Sequence, residues 1–322
     1  FGSLDVVALS LFSHGAKYID AGELHVYPQI LQGWYAIHVA TERKKSDVVT
    51  AQDPFETGLV AWAIARIEGV PLHIQVHTDF LSPHYARLSL LNRIRVSLAG
   101  FVLVRAKRIR VVSERIKEKI QKKYGELSIT VLPVSSDLEE VRSTSVPPEL
   151  AARFQKYSHR LLVVSRLEPE KNVALAIESF ARSAPREACL IVLGDGSEAA
   201  SLKGLGEKVG VADRVFFEGT KRAAAYYKLA DLVLVPSHYE GYGLVAVEAL
   251  ALGKPVLSTD VGVAREVGAI VAPPEKFTDA LADWFKNGPR TGELKNYPYK
   301  NFEEYVRAYC EDISATVHTQ AA

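Results

Sequence analysis

Along the chain, short apolar runs alternate with segments whose apolar positions recur every three or four residues. The runs predict buried strands and the periodic segments predict amphipathic helices. In the first half, strand-like runs at 4–11, 24–27, 47–51 and 72–76 alternate with helical segments near 34–43 and 56–68. A long helical stretch over 83–105 follows, then strand 108–112, helix 114–124 and strand 129–132. Residues 135–148 are polar and end in Pro147-Pro148, which predicts a linker. The rhythm then restarts with strand 161–164, helix 173–183, strand 189–193, helix 198–209, strand 214–217 and helix 223–229. Strand 232–235, a helix stopping at Gly253, strands 255–257 and 269–272, helix 277–285 and an amphipathic helix over 302–317 complete it.

This alternation predicts an α/β protein with two Rossmann-like, doubly wound domains facing across a cleft. The expected division is 1–140, 141–300, and a helix over 301–322 that packs back on the first domain. The first domain lacks the strand and Gly-rich turn that usually open such a fold, so it is expected to be incomplete at its start. The absence of methionine points the same way, to residues omitted or replaced by a modified form.

Composition adds boundaries. With 322 residues, 48% of them hydrophobic, the chain can bury a substantial core in two domains. It shows neither an apolar run of membrane-spanning length nor a signal-peptide pattern, and its two cysteines, Cys189 and Cys310, are far apart. These features predict a cytoplasmic protein in a reducing compartment. No metal-ligand spacing occurs, so no metal and no other cofactor is expected.

The net charge of +1 conceals a basic segment: residues 87–123 carry twelve Lys or Arg against Glu114 and Glu118. A solvated helical face, nucleic-acid binding and peripheral docking on an anionic membrane are the three options. Nucleic acid is not expected, because no binding module is recognisable and few aromatics interleave beyond Tyr85, Phe101 and Tyr124. Leu88, Leu91, Arg95, Leu98 and Val102 repeat at helical spacing ahead of Lys117, Lys119, Lys122 and Lys123, which favours the membrane, at its inner face.

The candidate chemistry centres on residues 230–261, a strand, loop, helix and strand. Such a unit places Ser237-His238-Tyr239-Glu240-Gly241-Tyr242-Gly243 at the carboxyl end of a parallel strand, where open α/β sheets hold ligands. Glu240 in the loop and Glu248 in the helix can border one crevice, and a carboxylate suits a pair of neighbouring hydroxyls. Gly241 and Gly243 would let a ligand approach the backbone, and the amides from Tyr242 through Leu244 to Val245 suit an anionic or hydroxylated group. Taken alone, the pair fits a solvated acid and a capped helix better than a binding site.

The full string, Glu240-Gly-Tyr-Gly-Leu followed by Glu248-Ala-Leu-Ala-Leu-Gly-Lys-Pro-Val, resembles the E-x7-E signature of retaining GT-B glycosyltransferases, in particular glycosyltransferase family 4. The match implies transfer of a sugar from a nucleoside-diphosphate sugar to a hydroxyl acceptor such as a glycan or lipid-linked acceptor. Glu240 would contact the donor sugar and Glu248 its ribose. Arg166 and Lys171, on a strand-to-helix loop, can converge on one anion or simply decorate a solvated loop. They resemble the family's R-x-x-x-x-K element, which implies that they hold the donor diphosphate. His77, at the end of a buried-type strand, is similar to the family's cleft histidine, which approaches the donor sugar from the opposite domain. Asp53 either caps the following helix or faces the acceptor. The sequence departs from the family where its usual Asn-Gly-Val-Asp is replaced by Val134-Ser135-Ser136-Asp137.

One motif supports a different class. Gly194-Asp-Gly-Ser-Glu-Ala199 follows a strand and matches the GxGxxA dinucleotide fingerprint, which alone would suggest an NAD-dependent oxidoreductase. It follows the second strand of its domain rather than the first, and in the resemblance Gly194 and Gly219 are only neighbours of the nucleotide. A non-catalytic sugar-nucleotide or membrane-binding module is a further alternative, and within the fold so is a sugar phosphorylase or epimerase.

Overall fold

A computed structural model describes the backbone of Leu4–Leu9, Ile19–Ala21 and Leu24–Gln29, and residues 46–318 in full. The helix expected near 34–43 lies outside the described residues. The first three strands, β1 (Leu4–Leu9), β2 (Ile19–Ala21) and β3 (Leu24–Gln29), form a small sheet in which β3 pairs in parallel with β1 and antiparallel with β2.

A four-stranded parallel sheet follows, with β4 (Val49–Ala51), β5 (Leu72–Val76), β6 (Arg108–Val111) and β7 (Ile129–Val131) in sequence order. Its connections are α1 (Glu56–Glu68), α2 (Pro83–Leu88), α3 (Leu90–Leu103) and α4 (Glu114–Tyr124). The helix expected over 83–105 is therefore two. Ser89 is extended at φ −161° and its side chain accepts from Asn92 N–H, capping α3 and ending α2.

The linker also differs from expectation. Asp137 accepts from Glu140 N–H and caps α5 (Leu138–Ser143), while Pro148 opens α6 (Pro148–Phe154). Polar composition is what a short, exposed helix needs, so it did not distinguish one from a loop.

The second half is a six-stranded parallel sheet of β8 (His159–Val164), β9 (Ala188–Leu193), β10 (Val215–Gly219), β11 (Leu232–Val235), β12 (Val256–Ser258) and β13 (Ile270–Val271). Every residue of β9 and β11 is buried, as expected when helices cover both faces of a parallel sheet. Those helices are α7 (Val173–Ser183), α8 (Ala199–Lys208), α9 (Ala224–Leu229), α10 (Leu244–Ala251) and α11 (Phe277–Asn287). The spatial order β10-β9-β8-β11-β12-β13 reverses direction between β8 and β11. That reversal opens a crevice at the carboxyl ends of β8 and β11, which carry the Arg166–Lys171 and Ser237–Gly243 segments.

The last helix, α12 (Phe302–His318), lies on the four-stranded sheet. His73 pairs with Arg108 and Gln75 with Arg110 in the β5–β6 register, so four polar side chains at alternate positions share one sheet face. Asp312 accepts from His73 at 3.0 Å and from Arg108 at 2.6 Å, Tyr309 from Gln75 at 2.7 Å and Tyr305 from Arg110 at 3.1 Å. Burial raises the Asp312 carboxyl, but hydrogen bonds from His73, Arg108 and Thr130 outweigh it and hold the group at about 2.

The face expected to repeat as Leu88, Leu91, Arg95, Leu98 and Val102 is only partly free. Val102 is buried, and Arg95 donates to Glu56 at 2.9 Å. The large apolar groups exposed there are Leu88, Leu90, Leu91 and Ile94.

Asp312→Ala leaves the buried His73 and the Arg108 guanidinium without their acceptor. It is expected to cost about 3 kcal/mol in urea unfolding, and an unchanged midpoint would contradict this role.

Candidate functional site

After β8 the chain runs through Ser165 and Arg166 into a 3-10 turn at Pro169–Lys171, and Asn172 ends the turn in the left-handed region at φ 49°. Asn172 Nδ2 donates to Pro236 O and His238 N–H donates to Glu170 O, which lock this loop against the one following β11. The consequence is a side-chain pair across the strand reversal. Lys171 Nζ lies 2.6 Å from Glu240 Oε1, which also accepts from Ser237 Oγ at 2.8 Å. Arg166, 70% exposed at its side chain, donates instead to Glu170 at 2.7 Å. Both cations therefore stand at one crevice, each held by its own carboxylate.

The loop bearing Glu240 also meets the first half of the chain. A Cβ on Gly241 would sit 1.8 Å from the His77 carbonyl oxygen, so no other residue fits without moving the backbone. The bareness of Gly241 thus serves contact with the His77 segment; it was expected to serve contact with a ligand. Ser113 Oγ donates to Gly241 O at 3.2 Å, Arg115 donates to Gly262 O at 3.1 Å, and the His84 and His238 rings stack 4.6 Å apart. Gly243, at φ 102°, begins α10 without a side-chain cap, and Leu244 is its first residue. Tyr242 is buried beneath this turn.

His77, half-buried at the end of β5, contacts Gln52 Oε1 at 3.2 Å. Burial and then the nearby Arg110 charge lower its ring to about 4, against a smaller upward pull from Asp53. The ring is therefore neutral at pH 7 and presents one N–H donor and one lone pair. Asp53 Oδ1 accepts from Phe55 N–H at 2.8 Å, a local turn just before α1.

Glu248 has partners different from those of Glu240. Its Oε2 accepts from Tyr227 OH at 2.9 Å and its Oε1 from Ser136 Oγ at 2.8 Å. Burial, then the Glu248 charge, raises the Tyr227 phenol well above its ordinary value, so it stays protonated and donates. Neither Tyr227 nor Ser136 belongs to a motif. Ser136 was visible only as a departure from the usual linker string, and Ser237 and Glu170 only as neighbours of motif residues.

The Gly-rich turn after β9 has a packing explanation. A Cβ on Gly194 would lie 1.8 Å from Ser165 O, and one on Gly196 would lie 2.4 Å from Leu167 O. Gly194 N–H donates to Gly219 O at 2.8 Å. These glycines let the loops after β8, β9 and β10 press together beside Arg166, a requirement that exists without a dinucleotide. Among the described residues no group of three or more His, Cys, Asp or Glu could hold a metal ion.

Two Rossmann-like halves whose loops meet at such a crevice define a GT-B architecture. Residues 151–303 match the family model for glycosyl transferases group 1, and residues 17–140 match that for glycosyltransferase family 4. The chain belongs to the group 1, family 4 type of GT-B glycosyltransferases. An alpha-monoglucosyldiacylglycerol synthase of Streptococcus pneumoniae is 28% identical over 66% of this chain and 51% of that protein. A 2-deoxystreptamine glucosyltransferase of Streptomyces kanamyceticus is 30% identical over 62% of this chain and 55% of its own length. The chain spans about half the length of these curated relatives. Among solved structures, Anabaena HepE in complex with UDP and glucose superposes with a TM-score of 0.72 at 20% identity, over 91% of this chain and 86% of that one. Sucrose-phosphate synthase of Thermosynechococcus elongatus gives 0.74 at 18% identity, over 96% and 86%.

Because His77 is neutral in the folded protein down to about pH 4 but titrates near 6.5 when unfolded, the unfolded chain binds more protons between those values. The stability that this ring contributes is fully present above pH 6.5 and is lost as the pH drops towards 4. His77→Gln is expected to show a smaller drop in melting temperature across that window than the parent; equal drops would refute the neutral ring.

Proposed function

We propose that the protein is a retaining hexosyltransferase that moves a sugar from a nucleoside-diphosphate sugar to a hydroxyl acceptor. The observation that carries this is the Lys171–Glu240 pair at the strand reversal, with the His77 segment packed against the same loop. A diphosphate offers Lys171 and Arg166 two linked anionic phosphoryl groups that accept from both cations at once, so it takes the place of Glu240 and Glu170 as their acceptor. Glu240 is then free to accept from donor-sugar hydroxyls, and Glu248 accepts from the ribose. The glycosyl C–O bond to the diphosphate breaks while a bond to the acceptor oxygen forms on the same face. The acceptor proton passes to the departing phosphate oxygen.

Arg166 and Lys171 neutralise the charge growing on that leaving group, and the neutral His77, whose one N–H faces Gln52 Oε1, accepts from a sugar hydroxyl at its other ring nitrogen. With residues 1–140 and 141–300 as the two facing domains, contacts such as His84–His238 join them beside the crevice, and closure on the donor would exclude water, a competing acceptor. The NAD-dependent alternative loses its main support to the packing role of Gly194 and Gly196 and to the family matches.

A lipid-linked or cell-envelope acceptor at the inner membrane surface is supported by two observations. One similar protein is named as a glycolipid synthase. The exposed Leu90 (72%), Ile94 (56%) and Leu91 (49%) stand beside Arg87 and Arg93, an apolar and basic combination suited to anionic headgroups. No helix among the described residues is long and apolar enough to cross a membrane.

Two tests follow from these roles. One of UDP, GDP and ADP is expected to raise the melting temperature. Arg166→Ala or Lys171→Ala should weaken its binding by roughly ten- to a hundredfold, the worth of a charge-assisted hydrogen bond. Stabilisation by NAD alone would overturn the assignment. For the membrane, the double variant Leu91→Glu, Ile94→Glu is expected to bind phosphatidylglycerol vesicles at least about tenfold more weakly than the parent, with nucleotide binding unchanged. Equal binding of the parent to neutral and anionic vesicles would remove this part of the proposal.

A further inference from the structure

The linker between the two large sheets reaches into the crevice. At Ser136 its side chain donates to Glu248 Oε1 at 2.8 Å, while its own N–H donates to Tyr297 OH at 3.0 Å. Tyr297 belongs to the segment that returns the chain towards α12, and two residues later Tyr299 OH donates to Pro133 O at 3.1 Å. The two chain crossings between the halves are thus stitched side by side, at 133–136 and 297–299. Ser136 is the residue that joins this seam to a carboxylate of the crevice.

The second anchor of Glu248 is of a different kind. Tyr227 is buried within the second half and fixes Oε2 whatever the linker does. A carboxylate has about four lone-pair directions. With one on each oxygen used by Tyr227 and Ser136, two remain, enough for a vicinal pair of hydroxyls. The Ser136 bond selects which rotation of the carboxylate about its own axis presents those two directions outward. Without it the carboxylate keeps a single anchor and can pivot about the Tyr227 contact, carrying both oxygens with it.

We propose that Ser136 is a positioning residue for the donor: its hydroxyl holds Glu248 in the orientation that accepts both ribose hydroxyls, and so ties recognition of a ribonucleotide to the interdomain seam. This rests on Glu248 being the ribose ligand. It predicts that the hydroxyl matters rather than the side-chain volume, which Thr and Val separate, since they share a shape and differ in one polar atom.

The test measures binding of UDP, GDP and ADP and of their 2′-deoxy counterparts to the parent and to Ser136→Thr, Ser136→Val and Glu248→Gln. The parent is expected to prefer the ribonucleotide. Ser136→Val should reduce that preference about three- to tenfold, Ser136→Thr should restore it, and Glu248→Gln should abolish it. In turnover, Ser136→Val should raise KM for the donor with little change in kcat. If Glu248→Gln abolishes the preference while Ser136→Val keeps it in full, Ser136 has no positioning role and the ribose assignment stands. If Glu248→Gln keeps the preference, or no nucleotide binds, the ribose assignment fails and this proposal fails with it. Thermal unfolding of each variant shows whether a loss is merely structural; a shift in stability without a change in the ribose preference would also contradict the proposal.

Discussion

The Lys171 ammonium and the Glu240 carboxylate, 2.6 Å apart, bridge the point where strand order reverses, and the crevice depends on that contact. Both side chains are about one-sixth exposed, so neither charge is well hydrated and each needs a partner. In this state they serve one another. An anion with several oxygens can replace Glu240 at Lys171, and the carboxylate so released can take up hydroxyl groups. Two charges left in mutual contact are then a poised site.

Around this pair the chain spends polar groups on holding loops rather than on filling core. Asn172 and His238 fasten the β8 and β11 loops together, and Gly241 and Gly194 permit backbone approaches that any Cβ would block. The first half reaches the same place through His77, whose burial keeps it neutral, and through Ser113 and Arg115. The last helix stiffens that half from behind. Its Asp312, Tyr309 and Tyr305 answer the alternate polar positions of β5 and β6, among them the buried Arg110 that also lowers His77.

Much of this was legible because parallel strands leave a plain mark. Runs such as 189–193 and 232–235 are wholly apolar, and both became fully buried strands. The alternation of strand and helix led to the GT-B fold. What escaped prediction came from residues whose partners are distant in sequence or whose type is ambiguous. Ser89 has ordinary helix-compatible neighbours, yet it caps α3 and splits the predicted helix. Asp137 turns an apparent linker into the start of α5. In the crevice, the motif residues Arg166, Lys171, Glu240 and Glu248 could be singled out, but not that Lys171 pairs with Glu240, nor that Tyr227 and Ser136 hold Glu248. Ser136 lies 112 positions from Glu248, and no local pattern records that contact.

The most direct measurement is a crystal structure of the protein with the nucleoside diphosphate that stabilises it. The account predicts that the diphosphate lies within hydrogen-bond distance of Arg166 and Lys171, with Glu240 withdrawn from Lys171 and Glu248 on the ribose. A diphosphate seated on the turn at Gly194–Gly196, with the Lys171–Glu240 contact intact, would contradict it.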